Sequence, residues 1–406
     1  MNFFRFLQTN ARWLIGGFAL CFCSSVGQTY FISLSGGEIR AEYGLSHGEF
    51  GGLYMGATLL SAATLTYLGR IVDYRSVSTT VLIAYLGLAF CALMMWGAQS
   101  LILLFLTVYG LRLFGQGMMT HIAMTAMGRW YAARRGRAVS IVGAGLQFGE
   151  ATLPIIVVSV MATLGWRQSW LFAAFALLVV MPVVYKLMSQ ERVPRNKVDK
   201  PDSEAYEGKN WTRGEVLKDT IFWMLLIAVL APPFIGTTIF FHQIYLLEVK
   251  NWTADIFASS FFIMSTSTFV CGLLFGALID RVTAVRLLPF FLLPMGLASY
   301  LLGTIDNQNI IFVFMAMFGV SYGASTALIG TLWPEIYGTK YLGSVRSVVI
   351  AFGVSASALG PGISGLLIDV GVGLEFQLQL MAIYCLCASL LMIVVAKRLI
   401  HRRHLP

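Results

Sequence analysis

Long apolar runs follow one another along almost the whole chain, each parted from the next by a few polar or charged positions. A helix needs roughly 20 such residues to cross a bilayer. Twelve stretches reach that length: 12–35, 48–69, 77–97, 100–127, 138–164, 166–187, 220–247, 254–279, 286–304, 308–332, 343–369 and 376–396. The second is rich in Gly, Ala and Ser, which suits close helix packing. The pattern predicts an all-α membrane protein of 12 transmembrane helices. One long polar segment, Ser189 to Asp219, buries too little to fold alone and reads as a mobile linker. It separates an N-terminal six-helix bundle, residues 1–188, from a C-terminal six-helix bundle, residues 220–406, with the linker at 189–219.

Composition supports this reading. Hydrophobic residues make up 58% of the 406 and charged residues 12%, about half the charged share of a soluble domain. Mean hydropathy is +0.77. The net charge of +9 does not indicate nucleic acid, because no basic face carries interleaved aromatics. With a cytoplasmic N-terminus, Lys and Arg crowd every cytoplasmic loop and leave only Arg40, Arg167 and Lys250 outside. That is the positive-inside pattern. It puts both termini and the linker in the cytoplasm, with a bacterial inner membrane as the expected location. The first stretch lacks a small-residue cleavage site and reads as a retained span. The six cysteines all lie in apolar stretches at spacings that fit neither a disulfide framework nor zinc. No phosphate-cradling loop and no catalytic cluster is present, so the expectation is a protein that is not an enzyme and holds no metal or cofactor.

The halves repeat. Gly69, Asp73 and Arg75 close the second stretch, and Gly276, Asp280 and Arg281 close the eighth, six stretches later. Basic loops and then Gly-rich helices follow the fourth and tenth stretches. Such a duplication points to a transporter with its site between the repeats. In these motifs, and in Arg112 followed by Gly115 and Gly117, the chain resembles the major facilitator superfamily. Arg134-Arg135-Gly136-Arg137-Ala138, Gly165-Trp166-Arg167 and the run from His242 to Leu246 are similar to its monocarboxylate-porter and oxalate/formate branch. The resemblance implies two pseudo-symmetric six-helix bundles and a cavity lined by the first, fourth, seventh and tenth spans. It further implies that Gly69, Asp73, Arg75, Gly276, Asp280 and Arg281 form a cytoplasmic gate.

Arg112 is the most informative side chain. A charge in mid-span costs at least about 2.5–3.5 kcal/mol, so something must compensate it. Glu150 lies near the middle of the next helix. Either the two form a permanent structural ion pair, or Arg112 attracts an anionic substrate while Glu150 takes up a proton. Gln116, four residues after Arg112, falls on the same face of a regular α-helix. Gln28 on the first span, Thr238 and His242 on the seventh, and Tyr322 and Thr326 on the tenth complete the candidate binding residues. His121, nine residues after Arg112, faces away and reads as structural. Pro232-Pro233 are expected to bend the seventh span.

The expected function is secondary active transport by alternating access, with proton-coupled uptake of a small organic anion, a carboxylate, by a monomer in the lipid bilayer. The alternatives are a proton-coupled antiporter exporting an amphipathic or drug-like compound, and a membrane receptor that binds a solute without moving it.

Overall fold

The structure is a computed structural model that describes residues 3–69, 71–131, 135–190, 210–338 and 341–403. Linker residues 191–209, Arg134 and the side chains of Asp73, Arg135 and Asp280 lie outside the described residues.

Every regular element among the described residues is helical. Among them, 9 helices are long and apolar enough to cross a membrane, and the pair Phe6–Gly27 and Thr29–Tyr43, bent by 45°, makes a tenth. The second predicted span is a 22-residue helix, His47–Leu68, whose Gly, Ala and Thr dilute its apolar character. The ninth is helical at Ala284–Leu287 and resumes at Leu293–Thr304. Pro294 sits in the first turn of that second piece, where its missing N–H costs nothing. The last part of the segment read as linker is ordered: Arg213–Lys218 is a helix, started by a reciprocal cap between Thr212 and Glu215.

The chain forms two compact units, residues 1–45 with 53–202, and residues 46–52 with 203–406. In the first, the helix Phe3–Cys23 packs on Arg135–Leu164, and Val77–Gly97 packs on Trp166–Met188. His47–Leu68 lies against the helix Leu101–Trp130, where the Tyr109 hydroxyl donates to Thr64 Oγ1 at 3.1 Å. In the second unit, Ala231–Phe241 packs on Leu342–Asp369, Ala254–Val282 on Ile310–Tyr337, and Leu293–Thr304 on Leu374–Arg403. Each unit thus pairs its first span with its fifth, its second with its fourth and its third with its sixth. The duplication read in the loop motifs is repeated in the packing.

Glycines set the closest crossings. A methyl group added at Gly319 would lie 2.5 Å from the Met264 carbonyl oxygen, and one at Gly323 would lie 2.5 Å from that of Thr268. The two glycines are four residues apart and share one helix face, so the backbones meet directly, as small-residue interfaces in membranes allow. Arg167 ties helix ends of the first unit together. It pairs with Glu42 and donates to the carbonyl of Ala98 at 2.6 Å and to that of Trp96, covering the open C-terminus of Val77–Gly97. In the second unit Asp219 caps the Ile221 amide at 3.1 Å and takes Arg402 at 2.9 Å and the Tyr337 hydroxyl at 3.1 Å.

Overpacking a tight contact costs about 1–3 kcal/mol. Gly323→Ala is therefore expected to lower the melting temperature in detergent. Gly353→Ala, where the added methyl meets nothing within 4 Å, is expected to leave it unchanged or raise it slightly. Equal melting temperatures for the two variants would show that the crossing tolerates a methyl group.

Candidate functional site

The first span does not run straight through. Its helix tightens over Ser24–Gly27, and Gln28 is extended, with φ −84° and ψ 156°, before a new turn starts at Thr29. Ser and Gly are weak helix formers that favour such interruptions. The amides of Phe31 and Ile32 both donate to the Gln28 carbonyl, at 3.2 and 3.1 Å. The Gly27 carbonyl is thereby released from the ladder. Gly27 has no side chain for a reason: a methyl group there would sit 2.1 Å from the Leu111 carbonyl oxygen. One at Gly115 would sit 2.6 Å from the Gly27 Cα. Backbone meets backbone where the span breaks.

Arg112 stands at that crossing. The helix carrying it widens into a π-helical segment over Arg112–Met119, a form concentrated at functional positions. The guanidinium is 1% exposed. Its Nη1 donates to the freed Gly27 carbonyl and to Thr29 Oγ1, each at 3.3 Å. It lies 5.3 Å from the centre of the Tyr54 ring, an attractive cation–π arrangement. The Tyr54 and Thr29 hydroxyls are 2.7 Å apart, which closes the group around the cation. Arg112 Nε and Nη2 have no protein partner. These two nitrogens form one edge of the guanidinium, the fork that matches the two oxygens of a carboxylate.

Glu150 is not the counter-ion. Among the described residues no ion pair joins it to Arg112. Its neighbour Gly149 packs against the Ser25 hydroxyl. Gln28 and Gln116 are half-buried. The wider π-helical turn shifts Gln116 away from the phase that a regular α-helix gives it relative to Arg112. His121 Nε2 lies 3.2 Å from the Gly69 carbonyl oxygen.

In the second unit the predicted residues are mostly engaged with their own backbone. The Thr238 hydroxyl donates to the Phe234 carbonyl at 2.8 Å, and that of Thr326 to the Tyr322 carbonyl at 2.9 Å. The Tyr322 hydroxyl donates to the Pro232 carbonyl at 3.1 Å, and Gly236 leaves room for the phenol, since a methyl group there would lie 2.0 Å from its oxygen. His242 is buried, with Nε2 3.1 Å from the Pro361 carbonyl oxygen. It ends the helix Ala231–Phe241, and the next helix is Gln243–Lys250. Pro232 and Pro233 sit in the first turn after a break at Leu230. Neither proline has an N–H to donate to the carbonyl of Ala228 or Val229, so the interruption at Leu230 falls where the two prolines remove donors from the ladder.

In the loops after the second and eighth predicted spans, Arg129 Nη1 donates to the Val72 carbonyl at 2.8 Å, and the Ala284 amide donates to Glu335 Oε2 at 2.9 Å. Each repeat thus ties the loop after its second span to the end of its fourth. Gly69 is buried, while Arg75 and Arg281 are exposed. Among the described residues no three His, Cys, Asp or Glu side chains gather as metal ligands.

Sequence reasoning passed over Thr29, Tyr54 and the Gly27 carbonyl. The run Ser24-Ser25-Val26-Gly27 was the available signal for a break. Tyr54 carried none, because its role depends on a contact with a distant helix.

Known proteins complete the assignment. A sequence profile of the Major Facilitator Superfamily matches residues 17–361. An MFS-type transporter of Gibberella moniliformis is 23% identical over 290 residues, 70% of this chain and 66% of its own length. The oxalate:formate antiporter of Oxalobacter formigenes is 21% identical over 262 residues, 63% of this chain and 61% of its own. The chain thus spans less than two thirds of the length of these curated relatives. A bacterial homologue of the human lysosomal transporter Spinster, solved inward-facing and unoccupied, superposes with a TM-score of 0.74 at 15% identity, covering 98% of this chain and 99% of that one. The same homologue, inward-facing and occupied, gives 0.70 at 16% identity, over 95% and 96%. A multi-pass helical membrane protein with duplicated units and this profile match, the chain belongs to the major facilitator superfamily.

Proposed function

We propose that the protein carries a small organic anion, a carboxylate, and that Arg112 binds it. The observation that supports this is a buried guanidinium with one pair of nitrogens satisfied by nothing in the protein and no acidic partner among the described residues. Arginine keeps its charge under all ordinary conditions. Uncompensated charge inside a membrane is retained where it serves a transport path. The free edge accepts a planar, two-oxygen anion, whereas a neutral solute leaves the charge unmatched. The name of the Oxalobacter relative, an oxalate:formate antiporter, supports the same class of cargo. The edge is closed to solvent in this conformation, so the cargo enters as the break at Gln28 and the facing helix Leu101–Trp130 part, which is one step of alternating access. Gating by Asp73 and Asp280 and a cytoplasmic position for both termini belong to the same reading, supported by the loop charges.

Proton coupling through Glu150 is the second element. A carboxylate locked to Arg112 would be a poor proton carrier; one with no ion pair among the described residues is available to gain and lose a proton as the site loads. The relative's name supports a second mode, in which one anion leaves as another enters and no proton is needed.

Two experiments in reconstituted vesicles test this. Arg112→Lys keeps the charge and loses the fork, so uptake of labelled oxalate or formate is expected to fall at least about tenfold, the cost of roughly 1.4 kcal/mol of binding. Arg112→Ala is expected to abolish uptake. Normal uptake by both variants would remove Arg112 from the path. Glu150→Gln is expected to retain exchange between labelled and unlabelled anion and to lose accumulation driven by an imposed pH gradient. Gradient-driven accumulation that persists in Glu150→Gln would assign the proton elsewhere, and its absence from the native protein would favour the exchange mode.

A further inference from the structure

The helix Leu101–Trp130 is α-helical on both sides of its π-helical segment, over Leu101–Leu111 and over Thr120–Trp130. The two ends of the segment touch different parts of the first unit. Its start carries Arg112, bonded to the Gly27 carbonyl and to Thr29. The α-helix that follows it holds the chain after the second predicted span. His121 Nε2 lies 3.2 Å from the Gly69 carbonyl oxygen, and Arg129 Nη1 donates to the Val72 carbonyl at 2.8 Å. A change of hydrogen-bond register within the segment is therefore felt at both places.

The segment is built for such a change. A π-helical run of 8 residues is long, because this form occurs mostly as single turns. Two glycines loosen it. Gly115 is required by the crossing, where an added methyl group would lie 2.6 Å from the Gly27 Cα. Gly117 has no such reason: a methyl group there would come closest to the Leu65 side chain, at 3.1 Å, and a leucine side chain can move aside. Glycine inside a helix weakens it, and what it supplies here is backbone freedom. Thr120 eases the junction with the α-helix. Its amide and its hydroxyl both reach the Gly117 carbonyl, and the hydroxyl also reaches that of Gln116. A hydroxyl rotates to suit its partners, so it serves these carbonyls while backbone donors are exchanged.

In the π register the Gly117 amide faces the carbonyl five residues back, that of Arg112; in the α register it faces the one four back, that of Leu113. Taking up the extra residue turns everything downstream by about 100° and moves it by about 1.5 Å, the share of one residue in an α-helix. Hydrogen bonds do not survive such a displacement, so His121 and Arg129 leave Gly69 and Val72. We propose that Arg112–Met119 is a register switch. In the conformation seen here it is π-helical and the chain at Gly69 and Val72 is held; in the other it is α-helical and that chain is released. The contacts of Arg112 bias the equilibrium from one end and the contacts of His121 and Arg129 from the other, which is what couples two distant places. The switch does not depend on the identity of the cargo, so failure of the anion reading leaves it standing, and the reverse holds too.

Solid-state NMR of the full chain in lipid, without any anion, reads the register. Glycine amides carry 15N, and either arginine or leucine carbonyls carry 13C; the Gly117 signal is assigned by its loss in Gly117→Ala. In the native protein the Gly117 nitrogen is expected to couple through space to the Arg112 carbonyl carbon. In the double variant His121→Ala, Arg129→Ala, whose helix is released at its far end, the coupling is expected to pass to the Leu113 carbonyl carbon. Coupling to Leu113 alone in the native protein, or to Arg112 alone in the double variant, would overturn the proposal. Should the double variant fail to fold, deletion of Gly117 decides. Removing the extra residue is expected to leave a regular α-helix with both far contacts kept and a melting temperature no lower than that of the native protein. A lower melting temperature would show that the wide turn is a fixed part of the packing and would overturn the switch.

Discussion

A guanidinium enclosed in the membrane part of the chain, with no acidic partner among the described residues, is the constraint around which the first unit is arranged. Removing a charge from water is costly, and the usual remedy is a counter-ion. Here the protein supplies only partial compensation: one freed carbonyl, one hydroxyl and the face of one aromatic ring. Each of these has a structural cost of its own. The carbonyl exists because the first span is broken at Gln28. The approach of the two backbones requires glycine at both Gly27 and Gly115. The helix bearing Arg112 departs from α geometry over the following turn. Departures from regular structure that converge on one side chain are the pattern expected of a functional position.

The two units share a plan and differ in chemistry. In both, the first span packs on the fifth and the third on the sixth, and in both the loop after the second span is tied to the end of the fourth. The first unit holds a cation with unmet donors. The second spends Thr238, Tyr322, Thr326 and His242 on backbone carbonyls of its own helices. Duplication has preserved the scaffold, while the polar groups that confer chemistry have diverged. This is how a common fold comes to serve many cargoes.

Much of the architecture was legible in the sequence because it follows from composition over long windows. Apolar runs give the spans, and the paired Gly-x-x-x-Asp loops give the duplication. Arg112 was legible because one charge in a long apolar run cannot be accidental. What surrounds it was not. Helix periodicity placed Gln116 beside Arg112, but a π-helical turn changes the period just where it matters. Glu150 was the nearest acidic candidate by count, yet the arginine is answered by a carbonyl, a group every residue carries and no sequence marks. Tyr54 comes from a helix whose start is ordinary Gly-rich sequence, and its contact depends on packing at long range.

The central claim is that the free edge of Arg112 receives a carboxylate. Solid-state NMR of the protein with 15N-labelled arginine, in lipid and with 13C-carboxylate oxalate or formate, tests it most directly. The Arg112 Nε signal, assigned by its loss in Arg112→Lys, is expected to shift and to show dipolar coupling to the labelled carbon. A protein that transports the labelled anion while that signal neither shifts nor couples would contradict the account.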